Sequence, residues 1–460
     1  MLERRLTLIQ AISLNMSMMI GVGPFVTIPL LFGQLAGPPA LLAWVFGAVV
    51  AVSDGLVWSE LAAAFPGSGG TYHFFDAIYA DAWLGRALKF LFVWQFLFSA
   101  PLEVASGMLG FAEYAGYLWP GLKGLAWSLD VPGSLIRWEV RWSNLLAMGA
   151  MAGMVALAYR RISVAGRLMV ALWIGMLASV FWVIVEGLSR FDPGVAFDAP
   201  AEAWTVDLRF LHGLGGAMGL AMYSYLGYYQ ICYLGDEVAN PSRTIPRSIV
   251  VSVLAVAAIY FAMTLGIVGV IPWQAAMKST HVACDLIAGL RGPLAARVMA
   301  SLVMWAAVAG CFAALLGYSR IPYAAAKSGH FFAALAKLHP TGDFPHRSLL
   351  AIGGLATVAC LFDLSTVIEA LLSSRILIQF VAQILTVIYL RSRPDLLARM
   401  PFRMVLFPIP AVVALVGWLW VFGAGSPRAI AYGALSLTAG VGVFLMWDKL
   451  SRKEAGRGND

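Results

Sequence analysis

Twelve apolar stretches of roughly membrane-crossing length divide this chain of 460 residues. They lie near 8–32, 39–64, 88–113, 143–158, 168–186, 210–235, 248–271, 294–317, 348–362, 366–390, 404–423 and 429–447. A helix through the hydrocarbon core needs about 20 apolar residues. The fourth and ninth stretches are short, and the rest meet that length. Composition agrees: 61% of residues are hydrophobic and 12% charged, and 46 glycines raise the apolar share to roughly 71%. A soluble domain holds about 45–50% apolar residues with glycine included, and about 25% charged. A water-soluble fold of this length is excluded for want of polar surface. A disordered chain, a collagen and a disulfide-stapled module are excluded as well. The solvent of this chain is the lipid bilayer. Its first stretch is too long for a signal peptide, carries Gly and Pro, and runs on into further spans.

Loop charges predict the orientation. With a cytoplasmic amino terminus and twelve alternating spans, one side holds Arg4, Arg5, Arg86, Lys89, Arg160, Arg161, Arg167, Arg243, Arg247, Arg320, Lys327, Lys337, Arg347, Arg391, Arg393, Arg399, Arg403, Lys449, Arg452, Lys453 and Arg457. That is 21 of 31 basic residues, so both termini are expected in the cytoplasm of a cell (plasma or inner) membrane protein. The net charge of +7 is therefore the positive-inside pattern. No basic, aromatic-interleaved soluble segment exists to bind nucleic acid. Cys232, Cys284, Cys311 and Cys360 have no metal-binding spacing and read as packed apolar thiols. The six histidines form no HExxH-type motif, and neither a metal nor a cofactor is expected.

Two stretches contain a break. In the first, Met19-Ile20-Gly21-Val22-Gly23-Pro24-Phe25 sets two glycines and a proline within four residues. Side-chain support and one backbone donor are lost there, so the helix stops and restarts with Pro24 in its first turn. In the sixth, Tyr223-Ser224-Tyr225-Leu226-Gly227-Tyr228 is the soft point. Each break lies about 13–17 residues into its stretch, near the bilayer midplane. Irregular backbone at that depth is tolerated where it lines a cavity, and a pair of matched discontinuous helices points to a secondary transporter built of inverted repeats. Tight helix packing at a Gly/Pro kink is the plainer alternative. Polarity assigns the ends. The restarted first helix turns its amides near Gly23 and Phe25 inward, which suits a carboxylate. The sixth ends in carbonyls near Tyr223 and Ser224, which suit an ammonium group. One anion hole and one cation cradle fit an amino acid.

These features resemble the amino acid–polyamine–organocation (APC) superfamily over nearly the whole chain. Gly21-Val22-Gly23-Pro24-Phe25 is similar to the family's GSGIF-type break, with Val22 and Pro24 as departures. Trp58-Ser59-Glu60-Leu61 followed by Phe65-Pro66-Gly67-Ser68-Gly69-Gly70-Thr71-Tyr72 resembles its motif after the second span. The run from Gly235-Asp236-Glu237 through Asn240-Pro241-Ser242-Arg243 to Ile245-Pro246 resembles the one after the sixth. Arg320-Ile321-Pro322-Tyr323 and Leu390-Arg391-Ser392-Arg393-Pro394-Asp395 resemble two more, although Ser328 stands where an Asp is usual. The resemblance implies an all-α, twelve-helix protein of the leucine-transporter type. Five helices (1–190) and five more (205–395) would form inverted repeats, with two peripheral helices in 400–460. It implies alternating access, a substrate backbone held at Ile20, Gly21, Val22 and Gly23, and a gating aromatic at Tyr223. Ser224, Tyr225 and Gly227 complete the expected pocket, and Glu237 and Arg243 belong to a segment that helps close the inner side.

Glu103 lies in mid-span, where a charge costs at least ~2.5–3.5 kcal/mol. Gln95, Ser99 and Glu103 share one helical face, as do Arg375, Gln379 and Gln383 at the same spacing in the tenth stretch. Glu103 and Arg375 fall at similar depth, so a pair is expected. That pair either docks two helices, carries a coupling proton on Glu103, or leaves Glu103 to recognise a cationic side chain or polyamine. No partner is evident for Asp54. The eighth stretch, Leu302 to Leu316, offers no Ser or Thr hydroxyl for sodium, and the fifth has no mid-span lysine of the kind several proton-coupled relatives of this fold carry. Proton symport and exchange both stay open. The expected partners are an amino acid or polyamine, with protons as a candidate co-substrate. An intramembrane enzyme would need a nucleophile–base pair or metal ligands inside the spans, and none is found. A channel is the other alternative.

Overall fold

The computed structural model describes residues 5–80, 82–130, 137–397 and 400–457. Arg4 and Arg399 of the basic set lie outside the described residues, and the side chains of Asp395, Arg452, Lys453 and Arg457 do too. The long helices are α1 (Leu8–Ile20), α2 (Gly23–Gln34), α3 (Leu41–Ala64), α4 (Thr71–Tyr79), α5 (Trp83–Leu118), α6 (Trp142–Ala158), α7 (Ile162–Ser189), α8 (Leu208–Tyr225) and α9 (Pro241–Val268). They continue as α10 (Val282–Arg291), α11 (Pro293–Tyr318), α12 (Arg320–Lys327), α13 (His346–Ala359), α14 (Leu364–Arg375), α15 (Gln383–Arg391), α16 (Ile409–Gly423) and α17 (Pro427–Arg457). Each of the twelve apolar stretches falls on one or two of these. Seven elements are long and apolar enough to cross a membrane, and the bent pair α1–α2 makes an eighth. α6 and α16 are shorter apolar helices.

The all-α expectation needs one correction. Between α5 and α6 the chain forms an antiparallel hairpin of β1 (Leu125–Asp130) and β2 (Arg137–Arg141). Its residues alternate apolar and charged, Leu129 and Trp138 against Asp130 and Arg137, and that period-2 pattern suits a ribbon rather than a helix.

Local chemistry starts and stops the helices as expected. Thr7 N donates to Gln10 Oε1 at 2.9 Å, one half of a capping box ahead of α1. Asp207 accepts from the Phe210 amide at 2.7 Å to cap α8. Asn240, left-handed at φ 50°, turns the chain into α9, which opens on Pro241. The tenth stretch is interrupted: a π-helical segment, Ile376–Ala382, separates α14 from α15 directly after Arg375. Such segments widen a helix by one residue and re-aim the side chains beside them.

Small residues let helices close on one another. A Cβ on Gly187 of α7 would lie 2.6 Å from the Gly266 backbone of α9, so that contact needs a glycine at 187, whereas a Cβ on Gly266 would meet Gly187 at an ordinary 3.4 Å. Gly149 of α6 has nothing within 4 Å of its Cβ position. Replacing Gly187 by Leu is expected to cost about 1–3 kcal/mol by overpacking, with Gly149→Leu near neutral. Thermal unfolding of the purified protein in detergent checks this, and equal losses in both variants would count against the close α7–α9 approach.

Candidate functional site

The two breaks meet in the middle of the bundle. α1 ends at Ile20, α2 restarts at Gly23, and the axes bend by 40°. Gly21 carries the turn at φ 38°, a left-handed value that favours glycine. The sixth stretch breaks after Tyr225: Gly227 has φ 112°, and a Cβ there would collide with Met18 of α1. The chain then continues as a single turn, Gln230–Tyr233.

Much of the backbone released here is tied down by buried side chains. The Asn15 side-chain oxygen accepts from the Ile231 amide at 3.0 Å. Gln230 Nε2 donates to the Ala313 carbonyl at 2.7 Å. The Tyr260 hydroxyl of α9 reaches two carbonyls, Met19 at 2.7 Å and Ser224 at 2.8 Å, one from each broken helix. This differs from the sequence expectation of open acceptors at Tyr223 and Ser224. The Ser224 carbonyl is engaged by Tyr260, and that of Tyr223 accepts from the Leu226 amide at 3.2 Å.

A cavity of about 40 Å³ lies at the joint. Gly21, Val22, Gly23, Glu103 and Tyr223 line it, as do Ser106 and Gly107 of α5 and Ala307, Gly310 and Cys311 of α11. A water needs roughly 10–15 Å³ by a comparable measure, so the cavity is small. Its wall is formed by close backbone approach: a Cβ on Gly310 would sit 3.0 Å from Gly21 Cα, and one on Gly110 2.6 Å from Val22. Tyr223 donates to the Ser106 hydroxyl at 2.8 Å, and Ser106 donates on to the Glu103 carbonyl at 2.7 Å.

Four other residues expected in the pocket lie elsewhere. Ile20 is buried in the core beside the cavity, outside its lining. Ser224 pairs with Thr27 of α2, Oγ to Oγ1 at 2.8 Å. Tyr225 turns to α3, where it donates to the Trp44 carbonyl at 3.2 Å and meets the Trp44 and Tyr260 rings. Gly227 fits against Met18.

Behind the cavity, Glu103 and Arg375 are in direct contact, both buried. Arg375 also donates from Nε to the Ser99 hydroxyl at 2.9 Å and from Nη1 to the Tyr318 hydroxyl at 3.1 Å. Tyr318 donates to the same Glu103 oxygen, and the guanidinium carbon lies 5.1 Å from the Tyr318 ring centre and 5.4 Å from that of Phe96. A desolvated ion pair needs such a shell of hydrogen bonds to hold its charge.

The end of the bundle that carries the motif loops is sealed by segment 233–237. Arg5 and Leu6 amides donate to the Glu237 carbonyl at 2.9 Å each. The Ser68 amide donates to Asp236 at 3.1 Å and that of Gly69 to the Tyr233 carbonyl at 3.2 Å. The Glu237 carboxylate is buried and takes two bonds from Arg320, at 2.8 and 3.2 Å. Arg243 is exposed in the first turn of α9 and stands apart from this pair. Burial holds the His73 imidazole below its usual pKa, against the pull of Asp236 and Asp76. Glu60 is held by Arg391 at 2.5 and 2.7 Å and by the Met404 amide at 2.6 Å.

Two apolar helices, each broken at a glycine, thus face each other across a small cavity. The profile of the amino acid permease family matches residues 6–445. The chain belongs to the amino acid permease family, within the APC superfamily. It is 28% identical over 369 residues to an uncharacterized transporter of Mycobacterium tuberculosis, covering 78% of this chain and 74% of that one. It is 24% identical over 444 residues to a branched-chain amino acid permease of Lactococcus lactis, covering 92% and 89%. A vacuolar cationic amino acid transporter of Arabidopsis thaliana is 23% identical over 401 residues, covering 85% and 64%. The chain is thus a multi-pass membrane protein of a transporter family.

Sequence reasoning missed Ser106, Tyr260 and Tyr318, and it placed Arg320 in a motif without its partner Glu237. A Tyr or Ser in an apolar helix gives no periodic signal of its own, so only the fold joins them to the breaks. Removing one partner of the Glu103–Arg375 contact strands the other charge, at about 3–5 kcal/mol. Glu103→Gln and Arg375→Gln should each lower thermal stability and uptake. The double variant should lie closer to the wild type than either single one, with a coupling of about 0.5–3 kcal/mol. Additive losses in the melting curves would dismiss the pair.

Proposed function

We propose that this protein is a secondary carrier that moves a neutral amino acid across the cell membrane by alternating access. In this reading twelve helices cross the bilayer with both termini cytoplasmic. Residues 1–190 and 205–395 form two inverted five-helix repeats, and 400–460 lies at the periphery. The observation that carries the proposal is the cavity at the joint of the two broken helices, enclosed by α5 and α11.

The substrate carboxylate would meet the amides at the start of α2, beside Gly21, Val22 and Gly23, where the helix dipole is positive. The ammonium group would face the end of α8 at the Tyr223 carbonyl, whose second lone pair is left over beside its bond from the Leu226 amide. Gly107, Ala307, Gly310 and Cys311 then surround the side chain with small, uncharged groups. The substrates in the relatives' names vary, branched-chain, cationic, cystine/glutamate and serine/threonine, so the choice rests on charge at the pocket. Glu103 is the acid in the lining, and Arg375 neutralises it. A polyamine or other organic cation would find no free anion there, which favours a neutral side chain. Tyr223 gates the pocket through Ser106, and Glu237 with Arg320 closes the basic end. The paired state of Glu103 makes it a poor coupling group, and net uptake then needs a proton taken up elsewhere, or else exchange.

A thermal-shift screen of the purified protein over all amino acids and common polyamines tests this directly. Saturating ligand at about 100 times Kd adds about 2.7 kcal/mol of stability. A shift with neutral amino acids, lost in Gly310→Val, and saturable counterflow in proteoliposomes are expected. A shift with polyamines alone would replace the substrate class. Flux that never saturates would replace the carrier by a channel.

A further inference from the structure

Four acids are buried in the described structure, and three of them meet a guanidinium: Glu60 with Arg391, Glu103 with Arg375, Glu237 with Arg320. The fourth is Asp54 in the middle of α3, fully buried, with no Lys, Arg or His in ion-pair contact among the described residues. Its partner is a neutral phenol. The Tyr228 hydroxyl, from the irregular segment that follows α8, donates to Asp54 Oδ2. Oδ1 has no hydrogen bond of normal geometry, and the buried indole N–H groups of Trp58 and Trp418, which face the carboxyl, have no other partner.

No charge reaches this carboxyl from the elements packed round it. Trp58 comes from α3 itself, Tyr228 from the break of the sixth stretch and Trp418 from α16. α9 offers Ile249 and Val253 at the level of the adjoining Gly55. Tyr229 and Tyr233 are the other titratable groups in this patch: the Tyr229 ring is stacked on Trp58 at 4.5 Å and set edge-on to Tyr228 at 4.9 Å, and Tyr233 lies edge-on to Trp58 at 6.0 Å. The π segment before α15 presents Phe380, stacked on Trp418 at 3.9 Å. Isolated charge in such surroundings is costly, and one proton removes it. None of Asp54, Trp58, Tyr228 and Trp418 lines the cavity at the breaks.

We propose that Asp54 is a proton-binding site of this protein, separate from the substrate cavity, through which protonation is coupled to movement of the broken sixth helix. The step is simple. Hydronium gives its proton to a carboxylate oxygen and leaves water, and Tyr228 keeps its own proton. While Asp54 is ionised, Tyr228 is held by a charge-assisted bond, roughly twice as strong as a neutral one. Protonation weakens that bond. It frees the segment that runs from Tyr228 through Tyr233 to Glu237, the segment that seals the basic end of the bundle. The wild-type protein therefore carries its coupling proton on α3 rather than on the paired Glu103.

This inference rests on the carrier reading, and the experiment separates the two. Proteoliposomes with an outside-acid gradient are supplied with a mixture of radiolabelled neutral L-amino acids, and counterflow of the same mixture is measured without a gradient. The gradient should stimulate uptake by the wild type and leave Asp54→Asn at its ungraded rate, with counterflow kept. Absence of counterflow in the wild type would refute the carrier reading. Counterflow with equal stimulation of both proteins, or of neither, would refute the proton site alone. Infrared difference spectra on acidification of the wild type give a second readout that does not depend on transport. A protonated-carboxyl band that Asp54→Asn lacks, and that Tyr228→Phe shifts, supports the site. A wild-type spectrum without such a band, or a band unchanged in Asp54→Asn, overturns it, and the wild-type arm still decides should that variant fail to fold.

Discussion

Every backbone group set free by a helix break must find a partner without the help of bulk water, and the centre of this protein is arranged around that demand. Two breaks in one bundle double it. The solution is to set the breaks against each other and to bring side chains to them from neighbouring helices. Asn15 and Tyr260 do so, Tyr260 holding one carbonyl from each broken helix with a single hydroxyl, while Gln230 reaches from the broken segment to the Ala313 carbonyl of α11. Groups left over at the start of α2 face the cavity. The need to satisfy the backbone thus creates the place where a polar solute can be satisfied too.

Charge follows the same economy. A buried carboxylate in this bundle is either matched by a guanidinium or set beside neutral donors, and the two arrangements do different things. Glu60 ties α3 to α15 and to the chain ahead of α16, and Glu237 locks to α12. Glu103 ties α5 to α14 next to the π segment, where the widened turn comes directly after Arg375. Glu60 and Glu103 thus fasten long helices to one another, whereas Glu237 pins the irregular segment 233–237 to α12. Asp54 bonds to the irregular segment instead of to a helix, so its contact holds the part of the fold with least support of its own.

Much of this was legible in the sequence because the bilayer simplifies the reading. Long apolar runs fall on helices, and Gly21, Gly23 and Pro24 announce a break whatever surrounds them. The i, i+4, i+8 spacings put Glu103 and Arg375 on interior faces, which is as far as periodicity reaches. It gives a direction and a depth but not a neighbour, so Asp54 had no partner until the fold brought Tyr228 to it, over a sequence separation of 174 residues. The placement of Tyr225 illustrates the converse. Its position in the broken segment suggests a pocket wall, but one residue rotates a helix by about 100°. Tyr223 therefore faces the cavity while Tyr225 faces Trp44. The hairpin after α5 was overlooked although Arg137-Trp138-Glu139-Val140-Arg141 alternates charged and apolar residues, because so short a run stands out little beside long apolar helices.

In a carrier cycle the seal at the basic end has to open without unravelling the core, and the position of the break explains how that is possible. Arg5, Leu6, Ser68, Gly69 and Arg320 all bond to residues 233–237, a stretch of single turns that is joined to α8 through Gly227 and to α9 through Asn240. Both joints have positive φ, 112° at Gly227, which glycine adopts freely, and 50° at Asn240, so turns bracket the segment that would move in the proposed cycle. Displacing those few residues removes the whole set of bonds together, while α8 and α9 keep their packing against α3. The first broken helix is fastened differently: the Tyr114 hydroxyl of α5 donates to the Phe25 carbonyl at 3.2 Å, beside the break itself. In the proposed cycle the basic end would therefore open through the sixth stretch while the first stays tied to α5 at the level of the cavity.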